Sequence, residues 1–375
     1  ETIANDSPNS INFTIRRSFD AGATWADLQT VLSYPGHGAT GASVIDSCVV
    51  QERRSGRLIV LIDHFPGGIG QPNAAAGIGV DAEGRYLLHD GAGNQYTWNE
   101  DGTVTDAAGE KTLYHVSERG DVTINDGGEE KPGGNVFLAD GEDPHQSLLT
   151  ARTCFLQMIY SDDDGATWSA PVNLNQDVKE EWMSFCGTSP GTGVRSGRLV
   201  VPIYYNGEHK RHFSAAVVYS DDGGATWKRG KSPNDGRIFE GRQIDSRTLD
   251  TEAGATHEAT LIERADGSLL MLMRNQHPSG KVAAAVSTDG GETWGEVYFA
   301  QEITEIFCQP NAVPWPSEEC PERVVFANAS QMRPYRGRGV LRLSEDGGRT
   351  WIASRTFNPA HYVYQCMTIL PDGTL

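Results

Sequence analysis

The sequence predicts an all-β fold, a six-bladed β-propeller with five Asp-box turns and a β-rich insertion within one blade. Three observations predict it. One octapeptide pattern, S-x-D-x-G-x-T-W, occurs five times: SFDAGATW at Ser18–Trp25, SDDDGATW at Ser161–Trp168, SDDGGATW at Ser220–Trp227, STDGGETW at Ser287–Trp294 and SEDGGRTW at Ser344–Trp351. The last four copies start 59, 67 and 57 residues apart, about the length of one four-stranded unit repeated along a propeller. Upstream of the boxes a small polar residue and a Gly lead into an apolar run: SGRLIVLIDHF from Ser55, SGRLVVPIYY from Ser196, DGSLLMLMR from Asp266 and DGTL from Asp372.

Each element has a physical reason. In the box, the Asp side chain accepts backbone N–H bonds, the Gly supplies a positive φ, and the Trp anchors the following strand in the core. Ahead of it, β-branched runs bounded by Gly, Asp and Ser read as strands, and no long stretch has helical periodicity. A blade is therefore strand (RLVVPIYY), loop, strand (SAAVVYS), box turn, strand. From Ser196 to its box is 24 residues and from Asp266 to its box is 21, but from Ser55 to the next box is 106. An insertion accounts for the difference, giving a propeller of residues 1–69 and 146–375 and a small inserted β domain of residues 70–145. Hairpin signals HDGAGN, NEDGT and NDGG punctuate the insertion, and GGEEKPGG near its end reads as a linker. Only 17 residues precede the first box, and the chain stops at Leu375 where a strand should begin, so a fragment cut at both ends is expected.

Composition excludes several classes. A net charge of −19 disfavours nucleic acid and anionic membrane surfaces as partners. No apolar stretch approaches the roughly 20 residues needed to span a bilayer, so no membrane insertion is expected. The six cysteines (Cys48, Cys154, Cys186, Cys308, Cys320, Cys366) show no metal-ligand spacing, and several sit in apolar strand contexts that suit buried free thiols. Neither a metal nor an organic cofactor is implied. The Asp-rich boxes do not match an EF-hand loop.

The boxes are scaffold and carry no activity by themselves. Five other stretches, NDSPNSINFTIRRSFDAGATW (Asn5–Trp25), THEATLI (Thr256–Ile262), MLMRNQHPSG (Met271–Gly280), ANASQMRPYRGRGVLRLS (Ala327–Ser344) and YVYQCMTILPDG (Tyr362–Gly373), resemble the bacterial exo-α-sialidases. The segment Ser161–Gly193 and the insertion resemble the branch of the large pneumococcal sialidases. The resemblance implies a triad of arginines clamping a substrate carboxylate, since a guanidinium fork fits a carboxylate in shape and charge. Arg274, at the end of LLMLMR, matches the second triad position, and Arg336 the third, with Arg333 and Arg338 as neighbouring alternatives. The first triad arginine belongs to an R-I-P motif ahead of Asp6 that this sequence does not contain, which implies an inactive fragment.

The resemblance also aligns Asp6 with the acid/base aspartate and Asp46 with the aspartate contacting the N-acetyl group. On residues alone, NDSP reads equally as an Asx turn and Asp46 as a strand-end cap. Tyr364 matches the nucleophile, with Tyr362 its rival, and Glu258 matches the carboxylate that accepts the phenolic proton, within hydrogen-bond reach of Tyr364. The chemistry explains a phenol. The anomeric carbon of sialic acid already carries a carboxylate, which repels an anionic nucleophile, whereas a phenol with pKa near 10 stays neutral until attack.

The implied function is retaining exo-α-sialidase chemistry on sialylated glycoproteins, glycolipids or oligosaccharides, in a secreted or cell-surface protein. Two alternatives stand. One is an intramolecular trans-sialidase releasing 2,7-anhydro-sialic acid, with Trp182, Tyr96 or Trp98 as candidates for blocking water. The other is a non-catalytic Asp-box propeller that binds glycan or protein.

Overall fold

A computed structural model describes residues 6–189, 192–193 and 197–375. Ser196, which opens one of the apolar runs, Asn5, and parts of the segment ending at Gly193 lie outside the described residues. The described residues are all-β, with 42% strand and 3% helix. No helix among the described residues is long and apolar enough to cross a membrane. Two compact units divide it. One takes the chain up to Ser47 with Leu61–Ile159 and Trp168–Cys186; the other takes Cys48–Val60, Tyr160–Thr167 and Gly187–Leu375.

In the first unit, six strands from Leu87–His89 to Glu129–Asn135 pair in sequence order as one antiparallel meander. Short turns headed by Asp, Asn or, at Ser117, Ser join them. Asp90 Oδ1, for example, accepts the N–H groups of Ala92 and Asn94 at 3.0 and 2.9 Å. The expected linker is instead the last strand of this meander. Glu129–Asn135 pairs with Asp121–Asp126, and Pro132 is tolerated because the strand lies at the sheet edge. Leu88, Val104, Val116 and Val122 form the core beneath it with Phe137 and Phe155.

The second unit holds the strands that matter for the site. Two four-stranded antiparallel meanders follow one another. The first comprises β1 (Thr256–Glu263), β2 (Leu269–Asn275), β3 (Lys281–Ser287) and β4 (Tyr298–Thr304). The second comprises β5 (Asn311–Pro314), β6 (Val324–Gln331), β7 (Gly337–Ser344) and β8 (Ala353–His361). Before them, Leu199–Asn206, Phe213–Ser220 and the two-residue Lys228–Arg229 form the strand, strand, box, strand series expected. The inner strands are buried, as in β2, where every residue from Leu269 to Asn275 is buried, whereas the last strand of the second meander, β8, has no buried residue.

All five boxes share one hydrogen-bond set. The Ser Oγ accepts the Gly N–H at 2.7–2.9 Å. The Asp Oδ1 accepts the Thr N–H at 2.8–2.9 Å. Two consecutive residues have positive φ, Gly-Gly in three boxes but Ala21-Gly22 and Asp164-Gly165 in the others. The glycine also packs. A Cβ on Gly224, Gly291 or Gly348 would stand 2.6, 2.8 or 2.7 Å from Ile59, Val217 or Leu270, each a residue of the preceding sheet. Arg198 reaches across the same seam, donating to the Asp289 and Gly290 carbonyls and to Glu292. The Trp does not anchor every box. Trp227 and Trp351 are buried, whereas Trp25 is 59% exposed.

Candidate active site

Four of the six residues singled out in the sequence meet within the second unit. Glu258 lies on β1 and Arg274 on β2. Thr256 pairs with Asn275 and Ala259 with Met273, so two residues of β1 stand opposite the single Arg274. This bulge re-aims Glu258 toward its neighbour strand. Its Oε1 accepts a hydrogen bond from Arg274 Nη1 at 2.7 Å, and both side chains are about nine-tenths buried, 11% and 9% exposed. Burial lowers the Arg274 pKa, and the Glu258 carboxylate and Tyr364 more than offset this, leaving it raised.

Tyr364 lies beyond β8, in a segment with no ladder hydrogen bonds, and is 51% exposed. Its hydroxyl stands 3.4 Å from Arg274 Nη1 and 3.4 Å from Arg336 Nη1. Arg336 immediately precedes β7. Of the three candidate arginines there, it is the one reaching Tyr364; Arg338, at φ +57°, turns to Thr356 Oγ1, and Arg333 is exposed. The rival Tyr362 packs edge-on against Phe357, its N–H donates to the Arg336 carbonyl, and burial pushes its phenol up to about 12.

One expected contact is not made. Tyr364 and Glu258 do not hydrogen-bond to each other; both address Arg274 Nη1. A carboxylate facing a buried cation takes the charge-assisted bond, which is about twice as strong as a neutral one. Asp6 and Asp46 belong to the first unit. The Asp6 carbonyl accepts the Asn9 side-chain amide at 3.0 Å, so the local turn uses Asp6 backbone. Asp46 is exposed within Ser43–Gln51 and sits at φ +51°, a left-handed conformation that Asp tolerates better than most residues.

Sequence reasoning missed a second layer. The ring of Phe307 lies 3.7 Å from Arg274 Cζ, a cation–π contact. Glu305 is buried, and burial pushes its carboxyl up to about 8. The His257 ring stands edge-on to Phe307 at 4.7 Å, and burial, then Arg274, hold its imidazole down at about 3. Nothing in TEIFCQ marks Glu305 or Phe307: they come near Arg274 because β4 pairs with β3 and ends opposite Lys281, just past the β2–β3 turn. Among the described residues no group of His, Cys, Asp and Glu has the arrangement of a metal site.

Two guanidinium groups converge on a phenol beside a carboxylate on an all-β repeat chain, and the proteins and solved structures similar to this chain are sialidases and trans-sialidases, which are β-propellers. The BNR repeat-like domain matches residues 88–375. The anhydrosialidase of Macrobdella decora is 28% identical over 429 residues, covering 98% of this chain and 53% of that protein. A sialidase of Micromonospora viridifaciens is 30% identical over 228 residues, covering 57% of this chain and 32% of that protein. The solved intramolecular trans-sialidase of Ruminococcus gnavus, in complex with oseltamivir carboxylate, superposes with a TM-score of 0.75 at 25% identity, covering 98% of this chain and 83% of that one. The NanB sialidase of Streptococcus pneumoniae shares the fold, with a TM-score of 0.76 at 24% identity over 99% of this chain and 60% of that one. The chain belongs to the BNR repeat-like domain family and is a member of the bacterial sialidases. It spans about half the length, or less, of the curated relatives named here.

Proposed function

We propose that this chain carries the site of a retaining exo-α-sialidase that releases terminal sialic acid from glycoconjugates, on a six-bladed propeller in a secreted or cell-surface protein. The observation that carries the reading is the convergence of Arg274 and Arg336 on the Tyr364 hydroxyl, with Glu258 on the same Arg274 nitrogen. The arginines clamp the substrate carboxylate. That incoming anion competes with Glu258 for Arg274, freeing Glu258 to take the phenolic proton as Tyr364 attacks the anomeric carbon. Asp6 protonates the departing glycosidic oxygen and then deprotonates the water that cleaves the tyrosyl intermediate, so configuration is retained. Asp46 holds the N-acetyl group.

The similarity to the Macrobdella decora anhydrosialidase over 98% of the chain supports a second reading of the same site, intramolecular transfer that gives 2,7-anhydro-sialic acid. NMR of the product from a sialyl-lactose separates the two. The main reading is tested with Tyr364→Phe and Tyr362→Phe. The first binds N-acetylneuraminic acid near normally and loses most of its turnover; the second keeps both. Loss of turnover in Tyr362→Phe alone would move the nucleophile, and loss in neither would end the sialidase reading.

A further inference from the structure

The site leaves two questions of position open. Arg274 Nε is buried without a hydrogen-bond partner, so its hydrogen bonds hold the guanidinium only at the Nη1 end. Tyr364 sits outside any ladder, so side chains must hold its backbone. The bend 305–308, just past β4, addresses both. Glu305 Oε1 accepts the Cys308 N–H at 3.0 Å, closing the bend. Phe307, between them, is held at φ +58°, where a bulky residue is a true outlier, and its ring lies 3.7 Å from Arg274 Cζ. Cys308 Sγ donates to the carbonyl of Val363, the residue before Tyr364. On the other side of Tyr364, Gln365 Nε2 donates to the Gln309 carbonyl at 2.9 Å, just beyond the same bend.

We propose that the bend 305–308 is the positioning element of the site: Phe307 seats the Arg274 guanidinium and Cys308 holds the backbone of Tyr364. Strain at Phe307 is the cost of presenting a ring face where a hydrogen-bond acceptor would compete with Glu258 for the cation. A flat apolar face fixes the plane of the guanidinium yet leaves its edges for anions. The Cys308 thiol is a weak donor that orients Val363 without adding charge beside the arginines.

This inference rests on the sialidase reading, and the test separates their failures. Phe307→Leu, Phe307→Tyr and Cys308→Ala are compared with the unmodified chain on an aryl sialoside, with melting curves to confirm folding. Phe307→Leu raises KM about ten-fold, the scale of a desolvated cation–π contact, and leaves kcat within about two-fold. Phe307→Tyr, which keeps the ring face, restores KM. Cys308→Ala lowers kcat about five-fold with KM unchanged, the worth of one modest hydrogen bond. Independently of turnover, the ring-current-displaced Arg274 Nε–H signal in ¹⁵N-arginine NMR, assigned by its loss in Arg274→Lys, returns to ordinary position in Phe307→Leu. An unmoved signal, equal kinetics for Leu and Tyr at 307, or unchanged kcat in Cys308→Ala overturns the proposal. An unmodified chain without turnover is what the absent first triad arginine implies and leaves the NMR arm to decide on the seat of Arg274; turnover retained in Tyr364→Phe refutes the sialidase reading.

Discussion

Removing Glu258 should destabilise the chain far more than its one hydrogen bond suggests. The Arg274 side chain it serves is 9% exposed, and the 2.7 Å pair joins β1 to β2 at their bulge. Glu258→Ala strands a buried guanidinium whose remaining company is the Phe307 ring and the long Tyr364 contact. Losing one partner of a buried pair costs about 3–5 kcal/mol, and the ring face left on the cation points to the lower end, about 3 kcal/mol. Arg274→Ala strands the carboxylate in turn, for about 3 kcal/mol again. The double variant strands neither charge and loses packing instead, so it also costs about 3 kcal/mol, short of additivity by about as much. Urea unfolding followed by tryptophan fluorescence and by far-UV circular dichroism measures all four corners of the cycle. Coupling below about 0.5 kcal/mol would refute the reasoning, because it would mean that the pair is solvated and Arg274 does not depend on Glu258 for burial.

Two further outcomes follow from the same geometry. Gly291→Ala places a Cβ 2.8 Å from Val217 at φ +95°, whereas Gly267→Ala, at φ +82°, meets nothing within 4 Å. Both lose about 1 kcal/mol or more to backbone strain, and Gly291→Ala loses about 1–3 kcal/mol beyond that in the same urea assay; equal losses would remove the packing role of the box glycine. Glu305 ionises at about 8 in the folded chain against an ordinary 4.5, so the native state holds a proton that the unfolded chain releases. Its contribution is fully present below pH 4.5 and is lost as pH rises toward 8. Glu305→Gln, neutral throughout, therefore gains stability relative to the unmodified chain across that interval, and a difference that stays flat from pH 4.5 to 8 would place the Glu305 titration elsewhere.

What could be read in advance divides along physical lines. Box turns were legible because every bond in them is local: Ser, Asp, Gly and Thr within seven residues supply the set seen five times. Strands carrying apolar runs were legible for the same reason. GGEEKPGG was not, because polar residues make a good edge strand as readily as a linker, and pairing with Asp121–Asp126 decides it. Of the site, Glu258, Arg274, Arg336 and Tyr364 could be named by resemblance, and their convergence depends on two sheets and a tail meeting. Glu305, Phe307 and Cys308 carried no signal, because a phenylalanine that serves a guanidinium looks like any core phenylalanine until the chain has folded.

The glycines of the boxes imply something about how such a chain is assembled and inherited. Gly224, Gly291 and Gly348 each nest against a side chain of the sheet before, and Arg198 and Arg264 reach forward from one sheet to the box turn of the next. Each repeat thus carries half of two seams, a socket facing one way and a plug facing the other. A repeat copied or lost as a unit brings its matching halves along, so the array can change length without inventing a new interface. The same arrangement makes neighbouring repeats melt together: opening one sheet withdraws the wall against which the next box closes, and stability spreads along the chain as a nearest-neighbour property.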